Sequence, residues 1–359
     1  MTMANSKRLA GLLHPDRQKM VIDEVVSLNE SSKLYVLRSA EGKELAYYEA
    51  GSYIPVFVNI DGNEIERPYS LCSSPKEAEN GVYKIVVKAA GSGSYVSTFI
   101  VENWKKGDVV SFGSPKEAEV FNPIRDSKNV IALAGGVGIT PFRSMAHAVA
   151  DGDNDHALTL IYGANTMDEV LFRDEWKELE EKSGGRFKMV PVIANEDVEG
   201  CEKGFITLDI IKKYADVTDA TFFISGPPPM MRAMDKALAP LELPRKRVRI
   251  SMNGDGGFNL HQEDAASYKL TIHMGGETFT GSARADETIL VAIEKMGLKP
   301  AAWCRSGICG FCRSYVVSGD FKLATDETGV RKMDKHFGFI HPCCSYPSSD
   351  LELVVQRAK

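Results

Sequence analysis

The chain has 359 residues, which is more than one typical domain holds, so two or three domains are expected. Its 43% hydrophobic and 26% charged residues are ordinary for a globular protein, and a net charge of −6 gives no general attraction to nucleic acid. No apolar run is long enough to span a membrane, the N-terminus has no signal-peptide pattern, and most cysteines lie in one segment. We therefore expect a cytoplasmic protein.

The first part of the chain has a β pattern. Residues 1–18 are short and polar and are expected to be an N-terminal extension. From residue 19 to about residue 125, short alternating or apolar runs are broken by Gly, Asn, Asp and Pro, which predicts a small antiparallel β-barrel.

Two segments of this barrel indicate a ligand. Residues 67–75 read RPYSLCSSP, in which an Arg could meet a phosphate, a Tyr could lie on a flavin ring and a Ser could reach a ring nitrogen. Residues 91–100 read GSGSYVSTFI, glycines followed by Ser and Thr at a helix start, which suits an anion. An ordinary edge strand and a plain loop are the alternatives. Together the two segments favour a flavin site.

The second predicted domain, residues 126–252, begins with a nucleotide-type turn. The apolar run 129–135 predicts a strand buried on both faces, and it leads into GGVGITPF at 135–142. Thr140 is the expected N-cap of the next helix, with Pro141 at its first position. Strand, glycine turn and helix can cradle a pyrophosphate, although the full G-x-G-x-x-G pattern is absent.

The rest of this domain alternates between apolar strands and amphipathic helices. That alternation predicts a doubly wound parallel α/β sheet, in which ligands bind beyond the carboxyl ends of the strands. Residues 225–230, SGPPPM, fall at such an end, as GGVGIT does. A rigid turn against a flat ring is one interpretation of SGPPPM, and a stiff connection is the other.

The last part of the chain carries a cysteine motif. Residues 253–266 are rich in Gly and polar residues and are expected to be a linker before a third domain, 267–359. Within it, WCRSGICGFCRSY at 303–315 has C-x4-C-x2-C spacing, followed about thirty residues later by Cys343 and Cys344. This is the plant-type 2Fe–2S spacing, and the intervening glycines are expected to take positive φ. A zinc site and a disulfide pair are the alternatives.

These motifs, in this order, resemble the ferredoxin–NADP reductase superfamily. The chain is specifically similar to iron–sulfur flavoprotein reductases whose domains run flavin, nicotinamide, ferredoxin, and the resemblance covers roughly residues 20–359. It implies an antiparallel β-barrel flavin domain, a doubly wound parallel α/β nicotinamide domain and an α+β ferredoxin domain of the β-grasp type.

The resemblance also implies roles for individual residues. Flavin-contacting residues would be Arg67, Tyr69 and Ser70, with Tyr69 and Ser70 as the candidate catalytic residues, and Val96, Ser97 and Thr98 would lie at the flavin phosphates. Contacts to the nicotinamide cofactor would come from Gly135, Gly136, Gly138, Thr140, Gly226, Pro227 and Pro228. The cluster ligands would be Cys304, Cys309, Cys312 and Cys343, the last selected by the C-x-x-x-P pattern that ends at Pro347.

The chain departs from the family pattern in three places. Ser251 and Asn253 stand where many relatives have an acidic residue and an aromatic one after the last strand of the nicotinamide domain. Asn165 stands where many relatives have Arg.

The cofactors together predict the reaction. A hydride carries two electrons and the cluster takes one, so a flavin between them would divide the pair. We predict an NAD(P)H-dependent oxidoreductase that uses FAD, with FMN as the alternative, and NADH, with NADPH as the alternative. Its partner would be a redox protein such as a terminal oxygenase or a hybrid-cluster protein.

Two other functions remain open at this point. One is a stand-alone NADH reductase of quinones, dyes or oxygen, and the other is a redox sensor.

If a partner protein docks, it is expected at the cluster loop, steered by Arg305 and Arg313, although both could simply solvate that loop.

Overall fold

The computed structural model describes residues 14–89, 95–251, 262–305, 307, 309–324 and 330–358. Most of the predicted N-terminal extension, the glycine-rich start of the 91–100 segment, most of the predicted linker, and Asn253 lie outside the described residues.

The first sheet is antiparallel and has the strand order β4-β3-β6-β1-β2-β5. Alternate residues of its first strand are buried, as at Met20 and Ile22, which gives the period of two expected for a strand with one face on a core. The strands are β1 Gln18–Ser27, β2 Ser32–Ser39, β3 Tyr53–Ile60, β4 Asn63–Ser70, β5 Tyr83–Lys88 and β6 Val109–Phe112. Two helices accompany them, α1 Pro75–Glu79 and α2 Tyr95–Asn103.

The second sheet is parallel, with the order β10-β9-β8-β7-β11-β12. Its central strand is buried on both faces: Val130, Ala132 and Ala134 join one core, and Ile131 and Leu133 join the other. The strands are β7 Asn129–Gly135, β8 Ala157–Ala164, β9 Phe187–Ile193, β10 Glu202–Lys203, β11 Thr221–Ser225 and β12 Val248–Ile250. The helices are α3 Thr140–Asp151, α4 Arg173–Lys182, α5 Leu208–Tyr214 and α6 Pro228–Leu238.

The third region combines a mixed sheet with short helices. Its five-stranded sheet has the order β14-β13-β19-β15-β17, in which only β13 and β19 are parallel among the described pairs, and β16 pairs with β18. The strands are β13 Ser267–Met274, β14 Glu277–Arg284, β15 Ser314–Ser318, β16 Phe321–Leu323, β17 Phe339–Ile340, β18 Ser345–Pro347 and β19 Leu351–Val354. The helices are α7 Ile289–Lys295 and α8 Lys332–His336.

Helix α7 is the buried centre of this third region. Ile289 and Ile293 pack into the core of the five-stranded sheet, whereas Leu290 joins a smaller cluster with Cys312 and Cys343. One short helix therefore contacts both the sheet core and the cysteines.

The three sheet regions confirm the predicted fold class, an antiparallel region, a parallel α/β region and an α+β region.

The described residues form two compact units. The described residues of the first fall within Met1–Val56, Pro68–Lys88 and Trp104–Ser251. Those of the second fall within Phe57–Arg67, Ala89–Asn103 and Met252–Lys359. Residues 57–67 and the described part of 89–103 thus group with the third region. The predicted boundaries had placed both segments in the flavin domain, residues 19–125, with the first sheet.

Candidate functional site

The glycine turn after β7 lies where the sequence predicted a nucleotide site. Gly136 takes a left-handed φ of 52° and opens a 3-10 turn over Gly136–Ile139 that runs directly into α3. Thr140 is not the N-cap, which corrects that expectation: it lies inside α3, and its hydroxyl donates to the Val137 carbonyl oxygen at 2.9 Å. Pro141 is still in the first turn, where a missing N–H costs nothing.

The two predicted nicotinamide segments contact each other through their backbones. A Cβ on Gly138 would lie 2.2 Å from the Ser225 carbonyl oxygen and 2.7 Å from the Gly226 nitrogen. A Cβ on Gly135 would lie 2.4 Å from the Met230 sulfur. Because no side chain fits there, the glycines let the ends of β7 and β11 approach closely, as a cofactor bound across parallel strand ends requires.

A cavity of 340 Å³ adjoins this turn. Gly136 and Val137 form part of its wall, and Lys88 and the β1–β2 turn form another part. The glycine turn therefore borders open space, as a nucleotide-binding turn must.

The strand ends beside β8 and β9 bear on nucleotide choice. Glu169 accepts hydrogen bonds from the backbone and side-chain nitrogens of Asn165 at 3.1 and 2.9 Å. Glu196 accepts from the Met167 nitrogen at 2.7 Å, and Lys203 pairs with Asp197 at 3.0 Å. Carboxylates dominate these ends.

The flavin motif is anchored to the nucleotide helix. Arg143 of α3 is 5% exposed, and its guanidinium donates to the Cys72 carbonyl oxygen at 2.6 Å and to Glu175 at 2.8 Å. Tyr69 and Ser70, at the end of β4, remain half-buried. The RPYSLCS strand thus ends against α3 with both candidate catalytic side chains partly accessible.

The remaining predicted flavin residues belong to the second unit. Val96 is fully buried in α2, and Ser97 and Thr98 are half-buried in the first turn of that helix. Arg67 is 4% exposed, and its guanidinium donates to both carboxylate oxygens of Glu294, at 3.1 and 2.8 Å. A buried guanidinium and the hydroxyls of a helix's first turn form a donor set suited to an anionic flavin.

The four predicted cluster ligands lie as two pairs. The sulfurs of Cys312 and Cys343 are 3.4 Å apart, and the Cys309 backbone nitrogen donates to the Cys304 sulfur at 3.4 Å. In the described ranges, no three His, Cys, Asp or Glu side chains are grouped to hold one metal ion. Two pairs of thiols suit two irons with two thiolates each.

Backbone amides point at these sulfurs. Gly307 N–H donates to the Cys343 sulfur at 3.3 Å, and Phe311 N–H donates to the Cys309 sulfur at 3.4 Å. Gly307 and Gly310 take φ of 76° and 68°, as expected for a loop that turns its amides inward. N–H donors stabilise thiolates, so the loop fits a cluster.

Proximity makes these thiols hard to ionise without a metal. The Cys304 thiol, together with burial, raises the pKa of Cys309, and the Cys343 thiol likewise raises the pKa of Cys312. A cluster that supplies positive charge would favour the thiolate forms, which are the forms that bind metal.

Cys343 and Cys344 make different contacts. The Cys343 sulfur faces Cys312, whereas the Cys344 sulfur donates to the His341 carbonyl oxygen at 3.4 Å and is fully buried. This geometry supports Cys343 as the fourth ligand.

The sequence did not predict the residues that support this loop. His341 is fully buried, with its ring nitrogens 3.0 Å from the Gly307 carbonyl oxygen and 2.9 Å from Asp334. Asp334 also accepts from Arg331 at 2.8 Å, and these partners hold the pKa of Asp334 below its usual value despite burial. The closeness of His341 to Cys343 in sequence was the available signal.

Arg305 does not lie on the surface, which corrects one expectation. It is 5% exposed, has φ of 52°, and its guanidinium bonds the Glu294 carboxylate. Burial removes it from contact with a docking protein. Arg313 is partly exposed and pairs with Asp334.

Aromatic side chains take the surface position beside the ligands. Trp303 precedes Cys304 and is 62% exposed, and Phe311 precedes Cys312 and is 52% exposed. Their rings meet edge-to-face with centroids 6.0 Å apart. The cluster loop therefore presents an exposed apolar pair.

Glu119 is a further acid that the sequence motifs missed. It is 4% exposed, it hydrogen-bonds Ser251, and burial raises its pKa to about 7. Ser251 lies just beyond β12, where its backbone nitrogen donates to the Ile224 oxygen at 2.7 Å. An acid from another part of the chain thus lies beside the residue that replaces the usual family acid.

Three family models match the chain. They are an oxidoreductase FAD-binding domain over residues 19–120, an oxidoreductase NAD-binding domain over 132–236, and a 2Fe-2S iron-sulfur cluster binding domain over 272–348. The chain belongs to the ferredoxin–NADP reductase superfamily. It is the form of that superfamily with an iron–sulfur domain at its C-terminal end, an oxidoreductase that uses FAD, a nicotinamide cofactor and a 2Fe–2S cluster.

Relatives within the superfamily span nearly the whole chain. The ferredoxin reductase component of 3-ketosteroid-9-alpha-monooxygenase from Mycobacterium tuberculosis is 26% identical over 348 residues, which covers 92% of this chain and 94% of that protein. NADH oxidoreductase HCR from Escherichia coli is 26% identical over 308 residues, with 86% and 89% covered. The solved structure of phthalate dioxygenase reductase has the same fold, with a TM-score of 0.71 at 22% identity over 95% of this chain and 98% of that one.

None of the helices in the described ranges combines the length and hydrophobicity that a membrane crossing needs.

Proposed function

We propose that this chain is the reductase component of an oxygenase system, oxidising NADH and delivering electrons singly through its cluster to a partner oxygenase. The observation that carries the proposal is the pairwise set of four thiols in an amide-lined loop beside exposed aromatic side chains. Relatives named as reductase components of monooxygenases support it.

The residues we assign to each cofactor are those of the motifs. Arg67, Tyr69 and Ser70 would hold the flavin with Val96, Ser97 and Thr98, and Gly135, Gly136, Gly138, Thr140, Gly226, Pro227 and Pro228 would hold the nicotinamide cofactor. Cys304, Cys309, Cys312 and Cys343 would hold the cluster. When bound, the flavin accepts two electrons from NADH and the cluster takes them one at a time. The chain's part is to bind and orient these groups.

NADH rather than NADPH is the proposed donor. A 2′-phosphate needs cations, whereas Glu169 and Glu196 lie at the strand ends and Lys203 is paired with Asp197. Carboxylates there would repel a phosphate and could accept from a ribose hydroxyl. A higher kcat/KM for NADPH would contradict this assignment.

The deciding experiment uses the purified holoprotein. We expect NADH to reduce ferricyanide rapidly and to reduce a candidate oxygenase only when the cluster is intact. Rapid reduction of quinones or oxygen without any response to candidate partners would favour a stand-alone reductase. Slow NADH turnover with a responsive cluster would favour a sensor, and specific reduction of a hybrid-cluster protein would change the partner.

We further propose that the partner docks on Trp303 and Phe311. Exposed aromatic residues at the centre of an interface often dominate its binding energy. Trp303→Ala should raise the KM for the partner about tenfold and leave dye reduction intact. Ile124→Ala is the matched control, since Ile124 is 96% exposed in the other unit. Equal loss with partner and dye would point to cluster damage.

A cytoplasmic location is part of the same proposal, because the thiols of the cluster motif need a reducing compartment.

A further inference from the structure

One buried carboxylate in the second unit bonds two arginines. Both carboxylate oxygens of Glu294, on α7, accept hydrogen bonds from the Arg67 guanidinium, at 3.1 and 2.8 Å. The same carboxylate accepts from the Arg305 guanidinium, whose Nη1 lies 3.4 Å from Oε2. The side chains of the arginines are each 5% exposed and that of Glu294 is 9% exposed. At such burial, charge-assisted bonds are strong and poorly screened.

The two arginines belong to different cofactor motifs. Arg67 begins RPYSLCS in β4, and Arg305 directly follows the ligand Cys304. Arg305 takes a left-handed φ of 52°, a conformation that costs energy for a side chain with Cβ. The hydrogen bond to Glu294 helps to hold Arg305, and with it the cluster loop, in that conformation.

The surrounding contacts fix Glu294 in place. The Asn63 side chain donates to the Lys295 carbonyl oxygen at 3.1 Å, and Lys299 pairs with Glu64 at 3.2 Å. The Lys295 ammonium lies 5.0 Å from the centre of the Tyr95 ring. The β3–β4 hairpin and the start of α2 thus contact the end of α7 and the residues that follow it, which restricts movement of the Glu294 carboxylate between the two arginines.

We propose that Glu294 is a positioning residue shared by both cofactor sites, a single carboxylate that orients and neutralises Arg67 for the flavin phosphate and Arg305 for the cluster loop. The inference rests on the proposed function in one respect, because it takes Arg67 as a phosphate-binding residue.

The charge of Glu294 gives the proposal a sign at each site. Arg67 divides its attraction between Glu294 and an anionic ligand, so loss of the carboxylate leaves more positive charge for the flavin phosphate. Arg305 lies beside Cys304, and positive charge near a cluster favours its reduced form. Glu294→Gln keeps a side-chain oxygen that accepts from the arginines, and so keeps their orientation, but it removes the negative charge. It should therefore tighten flavin binding and make the cluster potential more positive. Mere loosening of the fold would weaken flavin binding instead.

The test compares Glu294→Gln with wild type in two measurements. Fluorescence titration of flavin-free protein gives the Kd for FAD, and a redox titration of the holoprotein followed by electron paramagnetic resonance gives the cluster potential. We expect the Kd for FAD to fall roughly tenfold, the equivalent of about one charge-assisted hydrogen bond gained by the phosphate. We expect the potential to become more positive.

Matched variants separate this role from general damage. Glu287→Gln removes another buried carboxylate near α7, one that accepts from the Arg284 nitrogen at 3.1 Å and pairs with Lys295, and it should change neither quantity. Arg305→Met should shift the cluster potential in the negative direction, opposite to Glu294→Gln. If Glu294→Gln fails to fold, the cluster potential of Arg305→Met, measured on protein with a full iron content, decides the matter.

Several outcomes would overturn the proposal. For folded Glu294→Gln they are an unchanged Kd for FAD together with an unchanged cluster potential, a higher Kd for FAD, or a more negative potential. For iron-replete Arg305→Met the contradicting outcome is an unchanged potential. Failure of the proposed function would look different, because the wild-type holoprotein would then fail to reduce a candidate oxygenase with NADH, whatever the Kd for FAD and the cluster potential of the variants.

Discussion

At the scale of single residues, adjacent cysteines make different contacts at the proposed cluster site. Cys343 faces Cys312 and accepts the Gly307 N–H, whereas Cys344 is directed to the His341 carbonyl. Pro342–Cys344 form a 3-10 turn, and the two sulfurs have different partners in it, so one position can be a ligand and the next a small buried residue.

Replacing each cysteine tests this difference. Cys343→Ser should lose most of its iron and labile sulfide, because a ligand thiolate is gone, and Cys344→Ser should keep both. Iron and sulfide analysis of the two variants purified side by side measures the effect. Equal retention in Cys343→Ser and wild type would contradict the assignment.

Glu119 makes stability depend on pH. Its folded pKa, about 7, lies above its ordinary value of 4.5, so the folded state favours the protonated form. The contribution of Glu119 to the free energy of unfolding is fully present below pH 4.5. It falls as the pH rises from 4.5 towards 7, and it stays reduced above that. The loss is on the order of 3 kcal/mol.

Glu119→Gln should remove this dependence, because an amide does not ionise. At pH 8 the variant should be more stable than wild type, and at pH 4.5 the difference should vanish or reverse. Urea unfolding at both pH values measures it. If the urea midpoint of wild type lies below that of Glu119→Gln by the same amount at both pH values, ionisation of Glu119 is not the cause.

At the scale of elements, close approach of two strand ends shapes the nucleotide site. Gly138 has no room for a methyl group, because the obstructing atoms are the Ser225 and Gly226 backbone and cannot rotate away. Gly163, on β8, has its nearest heavy atom 3.5 Å from an added Cβ, which is ordinary contact. The two glycines therefore differ in packing while both lie in the parallel-sheet region.

Gly138→Ala should raise the KM for NADH roughly tenfold to a hundredfold, since displacing the turn by about 1 Å disturbs a positioned ligand. Gly163→Ala is its control and should stay near wild type. Steady-state kinetics with ferricyanide, at saturating FAD, gives both values. An unchanged KM in Gly138→Ala would show that the turn does not touch the nucleotide.

At the scale of the whole molecule, the units do not follow the order of the chain. Phe57–Arg67 and Ala89–Asn103 group with the iron–sulfur region, and Arg67 reaches Glu294 across 227 positions of sequence. Removing the iron–sulfur region therefore takes away partners of the flavin motif as well as the cluster.

A fragment that ends at Ser251 should unfold at a lower temperature than the holoprotein, because Arg67, Asn63 and Tyr95 lose their partners on α7. With excess FAD it should still reduce ferricyanide with NADH, and it should fail to reduce the protein partner. Thermal unfolding and the two acceptor assays measure this. Reduction of the partner as fast as by the whole chain would show that the cluster is not the exit.

Local spacing determined much of this protein by itself. The C-x4-C-x2-C motif, the glycine turn after β7, the alternation of strands and helices, and the three-part order all follow from residues close together in sequence. Such motifs encode a backbone path, and a path needs few distant partners to be specified.

Tertiary structure decided which distant side chains meet. Arg305 is charged and lies in a loop, so sequence favoured the surface, but packing of α7 places Glu294 beside it and buries both. Glu119 carries no motif, and only the fold brings it to Ser251. Long-range ion pairs and buried acids depend on how separate segments pack, and one sequence read locally contains no record of that packing.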